Sequence, residues 1–188
     1  MSNPSVKLTD KQKTVVDNLI SNSDEQVISI IQNFRENGEL FIIQPLIEMI
    51  YSNRSETLKE AIVEFISDIR NPVVVEIITR SIQKNIGNQN TAGLVTACWQ
   101  SNLDFSRELP LFIDILCSSD YQTSLEAFTV IENSISNLNK KEIDLYIATI
   151  ESKLKDTPIE KQSLLTEMIV TLENFKRNGA KDNTDDLY

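Results

Sequence analysis

The sequence has no histidine, and it has only 4 glycines, 5 prolines and 2 cysteines among 188 residues. The lack of histidine excludes Ser-His and Cys-His nucleophiles and histidine-ligated metal sites. Glycine-rich phosphate loops are missing as well, so we expect no cofactor, no metal and no enzymatic activity. So few glycines and prolines leave little material for the many turns of a sheet protein. The composition therefore favours an all-α fold.

The two cysteines, Cys98 and Cys117, fall on separate predicted helices and form no C-x-x-C pattern. A thiol in that setting is typical of the hydrophobic core, where it acts as a small apolar group. We expect both cysteines to be reduced and structural.

The charge is one-sided, with 28 acidic against 18 basic residues and a formal net charge of -10. Such a surface repels nucleic-acid phosphates and anionic lipid head groups, so we expect neither nucleic acid nor membrane as a partner. A protein or peptide is a better partner for such a surface, and a basic one is the best.

No apolar run approaches the roughly 18 residues needed to span a bilayer, and residues 1–10 show no signal-peptide pattern. We expect a cytoplasmic protein.

What the sequence does contain is an internal repeat. Residues 46–69 align without a gap on residues 112–135. A weaker middle copy places Gly93 under Ala61. The outer copies share six identical pairs, which are Ile47/Ile113, Ser52/Ser118, Thr57/Thr123, Glu60/Glu126, Ala61/Ala127 and Ile69/Ile135. A repeat of this length predicts stacked helical hairpins.

Helix-start signals agree with that prediction. Thr9 with Gln12, Ser23 with Gln26, Asn139 with Glu142, and Thr157 with Glu160 have the spacing of capping boxes. Pro45 predicts either a helix start near Gln44 or a kink. The pattern predicts about ten helices in five antiparallel pairs over residues 8–177, with Gly38 as a left-handed cap after the second helix. Residues 1–7 are predicted to be a flexible arm and residues 178–188 an acidic, disordered tail.

The helical pair repeats every 32 to 34 residues, its first helix has the form P-L-I-E-M-I, and its second carries Ala61, Gly93 or Ala127. This pattern resembles the HEAT/armadillo-like class of alpha solenoids. The resemblance implies a right-handed superhelix and a small residue where the second helix approaches the first. At the place of that class's second-helix arginine, this chain has Lys59 or Leu125. The tetratricopeptide class is the alternative, although its Trp-Leu-Gly-Tyr pattern is missing.

The resemblance implies a binding surface on the outward face of the second helices. Carried through the copies, the outward positions that we predict as binding residues are Glu60, Val63, Glu64, Val95, Thr96, Trp99, Glu126, Thr129 and Asn133, with Val130 on the same face. Trp99 is the predicted anchor for a peptide. A register shift of one residue would instead place Trp99 in the core. Glu132 occupies the copy of core residue Ile66, and we expect it to be rotated to the surface.

Three functions follow as hypotheses. The first is a non-enzymatic adaptor, scaffold or inhibitor that binds a protein or peptide through this face. The second is an acidic, immunity-like or DNA-mimicking inhibitor of a basic partner, in which the charge itself attracts the partner. The third is a relative of the HEAT-like alkylpurine DNA glycosylases, which the net charge of -10 disfavours because phosphates would be repelled.

Overall fold

The computed structural model describes residues 8–34 and 40–179, and this part of the chain is all-α. The predicted arm at residues 1–7, the predicted cap at Gly38 and the tail from residue 180 lie outside the described residues. The ten α-helices are α1 (Asp10–Ser21), α2 (Asp24–Phe34), α3 (Ile43–Ile50), α4 (Glu56–Asp68), α5 (Val73–Lys84), α6 (Thr91–Gln100), α7 (Leu109–Ser118), α8 (Tyr121–Ser134), α9 (Lys140–Leu154) and α10 (Ile159–Asn178).

Two of the four predicted capping boxes, at the starts of α1 and α9, are complete. In the box predicted at Ser23, the backbone N of Ser23 donates to Gln26 Oε1 at 3.1 Å. Thr9 Oγ1 accepts from Gln12 N at 3.3 Å, and Gln12 Oε1 accepts from Thr9 N at 3.0 Å. Asn139 makes the same reciprocal pair with Glu142. Each box satisfies backbone N–H groups that the first helical turn leaves without a partner.

The box predicted at the start of α10 is wrong. Pro158 is the N-cap residue and makes no side-chain cap. The Thr157 hydroxyl donates backwards to Lys153 O at 2.9 Å, into the last turn of α9. The spacing of a capping box is present, but Pro158 and not Thr157 is the N-cap residue of α10, so the hydroxyl does not accept from the first turn of that helix.

Pro45 lies in the first turn of α3, which follows a 3-10 turn over Leu40–Ile42. A proline there costs no helical hydrogen bond, because the N–H groups of the first turn have no acceptor within the helix. The first of the two readings of Pro45, a helix start near Gln44, is therefore correct. Ile42 and Ile43, the second half of the apolar run at residues 40–43, are fully buried in the core.

Consecutive helices contact each other within the pairs α1–α2, α3–α4, α5–α6, α7–α8 and α9–α10, and the pairs pack against one another. The second helices form a continuous row, in which α2 contacts α4, α4 contacts α6, α6 contacts α8, and α8 contacts α10. Among the first helices, α1 contacts α3, α3 contacts α5, and α7 contacts α9. The two strong repeat copies begin and end at equivalent positions. The first residues of α3 and α7 are equivalent in the alignment, and so are the last residues of α4 and α8.

Buried apolar side chains from all ten helices form one core. Leu46 and Ile50 of α3 and their equivalents Phe112 and Leu116 of α7 are all at most 1% exposed. Cys98 is buried and Cys117 is half-buried, and both are free thiols as predicted. No helix in the described part of the chain combines the length and the apolar character that a membrane span requires.

Cations at two turns tie one hairpin to another. Arg54, just before α4, donates to Ile20 O at 2.6 Å and Asn22 O at 2.8 Å, at the end of α1, and to Asp24 Oδ1 at 2.9 Å. Lys161, in the first turn of α10, donates to Cys117 O and Ser119 O at the end of α7. Both cations therefore satisfy carbonyls that the end of a first helix leaves open.

Candidate functional site

The structure divides the nine predicted binding residues by exposure. Glu60, Glu64 and Asn133 are exposed, while Val63, Thr96, Trp99, Glu126 and Thr129 are half-buried. The predicted outward position of Val95 is wrong, since it is 0% exposed. The side chain of Val95 is part of the hydrophobic core, whereas its repeat equivalent on α4, Val63, is half-buried and packs against that core.

Val130 was also predicted to face outward and is 1% exposed. The reason is a rotation of α8 relative to its repeat partner α4. Glu64 of α4 is exposed where Val130 of α8 is buried, and Ile66 of α4 is buried where Glu132 of α8 is exposed. The rotation exchanges an apolar and a charged residue between core and solvent, and it confirms the expected surface position of Glu132.

A groove of about 360 Å³ lies between α4 and α6. Gly93 makes this close approach possible, because a Cβ added there would be 3.3 Å from Val63 Cγ2. The sequence predicted that the small residue serves the contact between the two helices of one hairpin. Its nearest neighbour is instead the second helix of the preceding hairpin. Four of the predicted residues line this groove, namely Glu60, Val63, Glu64 and Thr96.

The groove carries more negative than positive charge. Glu56, Glu60 and Glu64 follow one another at four-residue intervals along α4 and all line the groove. Lys59 is the one cation among the lining residues, and its Nζ is 2.8 Å from Glu56 Oε1 and 3.5 Å from Asn90 Oδ1. Three carboxylates against one ammonium give the lining residues a net negative formal charge.

Trp99 is fixed by a hydrogen bond between neighbouring second helices. Its indole Nε1 donates to Glu126 Oε2 at 2.7 Å, and Gln122 Nε2 donates to the other carboxylate oxygen at 2.6 Å. Trp99 is half-buried and packs against the hydrophobic core. Both sequence readings of this residue thus apply in part, because the ring contacts the core while its edge reaches the outward residue Glu126.

A second cavity, of about 460 Å³, opens beside Trp99 where the α6–α7 connection meets the end of α8. Cys98, Phe105 and Val130 are its buried apolar residues. The remaining lining is largely amide and hydroxyl side chains, including the predicted residue Asn133. Sequence reasoning singled out Trp99 and Asn133 but missed the connection, which belongs to no repeat copy.

A third cavity, about 490 Å³, lies between the α7–α8 turn and the α9–α10 turn, beside Lys161. Lys161 is 4% exposed, and this burial lowers its pKa. Burial also raises the pKa of the Cys117 thiol next to it, so that thiol is not activated as a nucleophile. The Lys161 ammonium is occupied by two backbone carbonyls, which gives it a structural role.

Within residues 8–34 and 40–179, no group of three or more acidic or cysteine side chains is arranged to hold a metal ion. The outward face of α4, α6 and α8 can therefore be described by shape and charge alone. It presents one acidic groove, one tryptophan held by a carboxylate, and one polar cavity.

Comparison of the chain with protein-family models, with curated proteins and with solved structures gives no match.

Proposed function

We propose that the chain is a HEAT/armadillo-like alpha solenoid of five antiparallel hairpins that binds a protein or peptide without catalysis. The continuous row of contacts along α2, α4, α6, α8 and α10 supports the repeat architecture. The equivalent bounds of the two strong copies support it too. In such a stack, each hairpin covers the next and a long surface is left along one layer of helices.

The observation that carries the functional proposal is the acidic groove between α4 and α6. It combines a half-buried apolar side chain, Val63, with the carboxylates of Glu60 and Glu64. A peptide that places an apolar side chain against Val63 and a lysine or arginine beside these carboxylates would match both features. Trp99 and Glu126 extend the surface to α8, where Thr129 and Asn133 continue it.

The charge-based hypothesis differs from this one in a measurable way. A general negative field acts over distances near the Debye length, about 10 Å at 0.1 M salt, and every surface carboxylate contributes to it. A groove, in contrast, binds its partner through direct contacts with the residues that line it. The same charge change made inside and outside the groove therefore separates the two hypotheses.

We would test the proposal with peptides selected from a displayed random library of about twelve residues, long enough to cover several helical turns. We expect selected sequences to combine a basic and an apolar residue. Thr96→Arg, which fills and recharges the groove, and Glu60→Lys should each weaken binding about ten-fold or more, as measured by calorimetry.

Glu151→Lys is the matched control, since Glu151 is exposed on α9 and makes the same change of net charge. The groove hypothesis predicts that this variant binds within about two-fold of the parent protein. Equal losses in Glu60→Lys and Glu151→Lys, both relieved by salt, would favour the general field instead. Selection that yields no peptide sensitive to Thr96→Arg would refute the groove.

A further inference from the structure

The cavity beside Trp99 has a different chemistry from the acidic groove. Among its lining residues, Asp104 is the one carboxylate, and there is no lysine or arginine. The lining residues themselves therefore offer an anion no ammonium or guanidinium, and they offer a basic peptide one carboxylate. The lining is instead rich in groups that both donate and accept hydrogen bonds, chiefly asparagine and serine side chains.

Trp99 provides the apolar part of this cavity. Its one polar atom, Nε1, is already bonded to Glu126, so the ring offers the cavity hydrocarbon surface. That bond also fixes the orientation of the ring, which lowers the entropy lost when a ligand packs on it. Buried Phe105 and Val130 line the cavity as well, and Phe105 is held by an edge-to-face contact with Phe112 at 5.8 Å.

Two polar residues of the α6–α7 connection are held in place before any ligand binds. Asp104 Oδ1 accepts from Ser106 N at 2.9 Å, and this hydrogen bond lowers the pKa of Asp104, so the side chain is a carboxylate at neutral pH. Asn102, with its amide oxygen toward Arg70, accepts two hydrogen bonds from that guanidinium at 3.1 and 3.2 Å. Asn133 of α8 and Asn137 beyond it complete the rim from the other side.

From this geometry we infer that the cavity beside Trp99 is a binding site for a neutral saccharide of one or two rings. The C–H face of a sugar ring packs on an aromatic side chain, while its hydroxyl groups need partners that both donate and accept. Trp99 supplies the first, the amides of Asn133 and Asn137 both donate and accept, and the carboxylate of Asp104 accepts only. The volume of about 460 Å³ lies in the range of small-molecule sites.

The inference is independent of the peptide groove. The groove lies between α4 and α6 and depends on Glu60 and Thr96, whereas the cavity lies between α6 and α8 and depends on Asn133. Thr96→Arg is therefore expected to abolish peptide binding and to leave saccharide binding unchanged.

The test uses the full chain, in which the sole tryptophan reports directly on the cavity. Glucose, galactose, N-acetylglucosamine, maltose and cellobiose are titrated separately, and the emission of Trp99 and the heat of binding are recorded. We expect at least one of them to change the emission saturably, with a midpoint below about 10 mM. Glucosamine, which is cationic, is titrated in parallel.

Asn133→Ala removes an exposed rim amide and should weaken that binding about five- to ten-fold. Asn53→Ala, an exposed asparagine in the α3–α4 turn, is the control and should bind within about two-fold of the parent protein. The inference is overturned if the folded protein gives neither an emission change nor heat with any neutral sugar. It is also overturned if only glucosamine binds, or if Asn133→Ala binds as tightly as the parent.

Discussion

Arg54 makes three hydrogen bonds to the first hairpin that the sequence analysis did not predict. It reaches two carbonyls at the end of α1 and the carboxylate of Asp24, and Ser55 N also donates to Asp24 at 2.8 Å. The sequence comparison placed the expected second-helix cation at Lys59. The cation that links the two hairpins is instead Arg54, five residues before Lys59, because the turn before α4 lies against the end of α1.

We predict that Arg54→Ala lowers the free energy of unfolding by about 1–3 kcal/mol, since it leaves carbonyl groups at the end of α1 without a donor. Urea denaturation measures this loss. Arg80→Ala is the control, because Arg80 is exposed and pairs with Glu76 of its own helix. Its loss should stay below about 0.5 kcal/mol. Equal losses in the two variants would contradict the role assigned to Arg54.

The carboxyl group of Asp24 should make the stability of the fold depend on pH. Hydrogen bonds from Ser55 and then from Arg54 lower the pKa of Asp24 from 3.8 to about 2. A lowered pKa means that the folded state favours the carboxylate, so this contribution to stability is present above about pH 4 and is lost as the pH falls toward 2. We expect the difference in stability between the parent protein and Asp24→Asn to shrink over that interval. A constant difference in urea denaturation from pH 5 to pH 2 would be inconsistent with this account.

The bond between Trp99 and Glu126 gives a third prediction. Glu126→Ala removes the acceptor 2.7 Å from the indole nitrogen, which should cost about 1 kcal/mol and shift the emission of Trp99. Glu126→Gln keeps an acceptor and should show a smaller shift. Glu132→Ala, an exposed carboxylate on the same helix, should leave the emission unchanged. If Glu126→Ala and Glu132→Ala give the same spectrum, the bond does not orient the ring.

Helix ends were predicted well where their partners are local. Thr9 and Asn139 each find their capping partner three residues along the chain, so spacing alone is sufficient. Thr157 has the same spacing to Glu160 but donates to Lys153 of the preceding helix. Whether the Thr157 hydroxyl accepts from Glu160 N or only donates to Lys153 O depends on the conformation of the connection, which residue spacing does not determine.

The contribution of a local N-cap to stability can be measured at Asn139. Asn139→Ala removes acceptors of Lys141 N and Glu142 N, both at 3.0 Å, and should destabilise the protein by about 1 kcal/mol. Thermal unfolding measures the change. Asn53→Ala, outside any helix, should change the midpoint little. A midpoint for Asn139→Ala equal to that of Asn53→Ala would show that α9 does not depend on its cap.

Helix faces were predicted less well than helix ends. In the outer copies α3 and α7 begin at equivalent residues, yet α8 is rotated relative to α4, so Val130 is buried. A repeat in sequence fixes which residues are equivalent. It does not fix how far each helix is rotated toward the core, and Val95 of α6 is fully buried where its equivalent Val63 of α4 is half-buried.

Taken over the chain, the sequence predicted the all-α class, the number of helices and their pairing. It placed four groove residues correctly on one surface, because the spacing along α4 and α6 is local information. The cavity beside Trp99 could not be predicted in this way, since it forms where the α6–α7 connection meets α8 and includes residues outside the repeat. Sites between elements depend on packing, and packing is a property of the folded molecule.

The most direct measurement of the proposed function uses the one indole N–H of the protein. In a ¹H–¹⁵N correlation spectrum, Trp99 gives a single side-chain signal, because the chain has one tryptophan. On addition of a selected basic peptide, we predict shifts of this signal and of the backbone amides around Glu60, Thr96 and Glu126. Shifts confined to the first helices, α3, α5 and α7, with the indole signal unmoved, would contradict the claim that the second helices form the binding face.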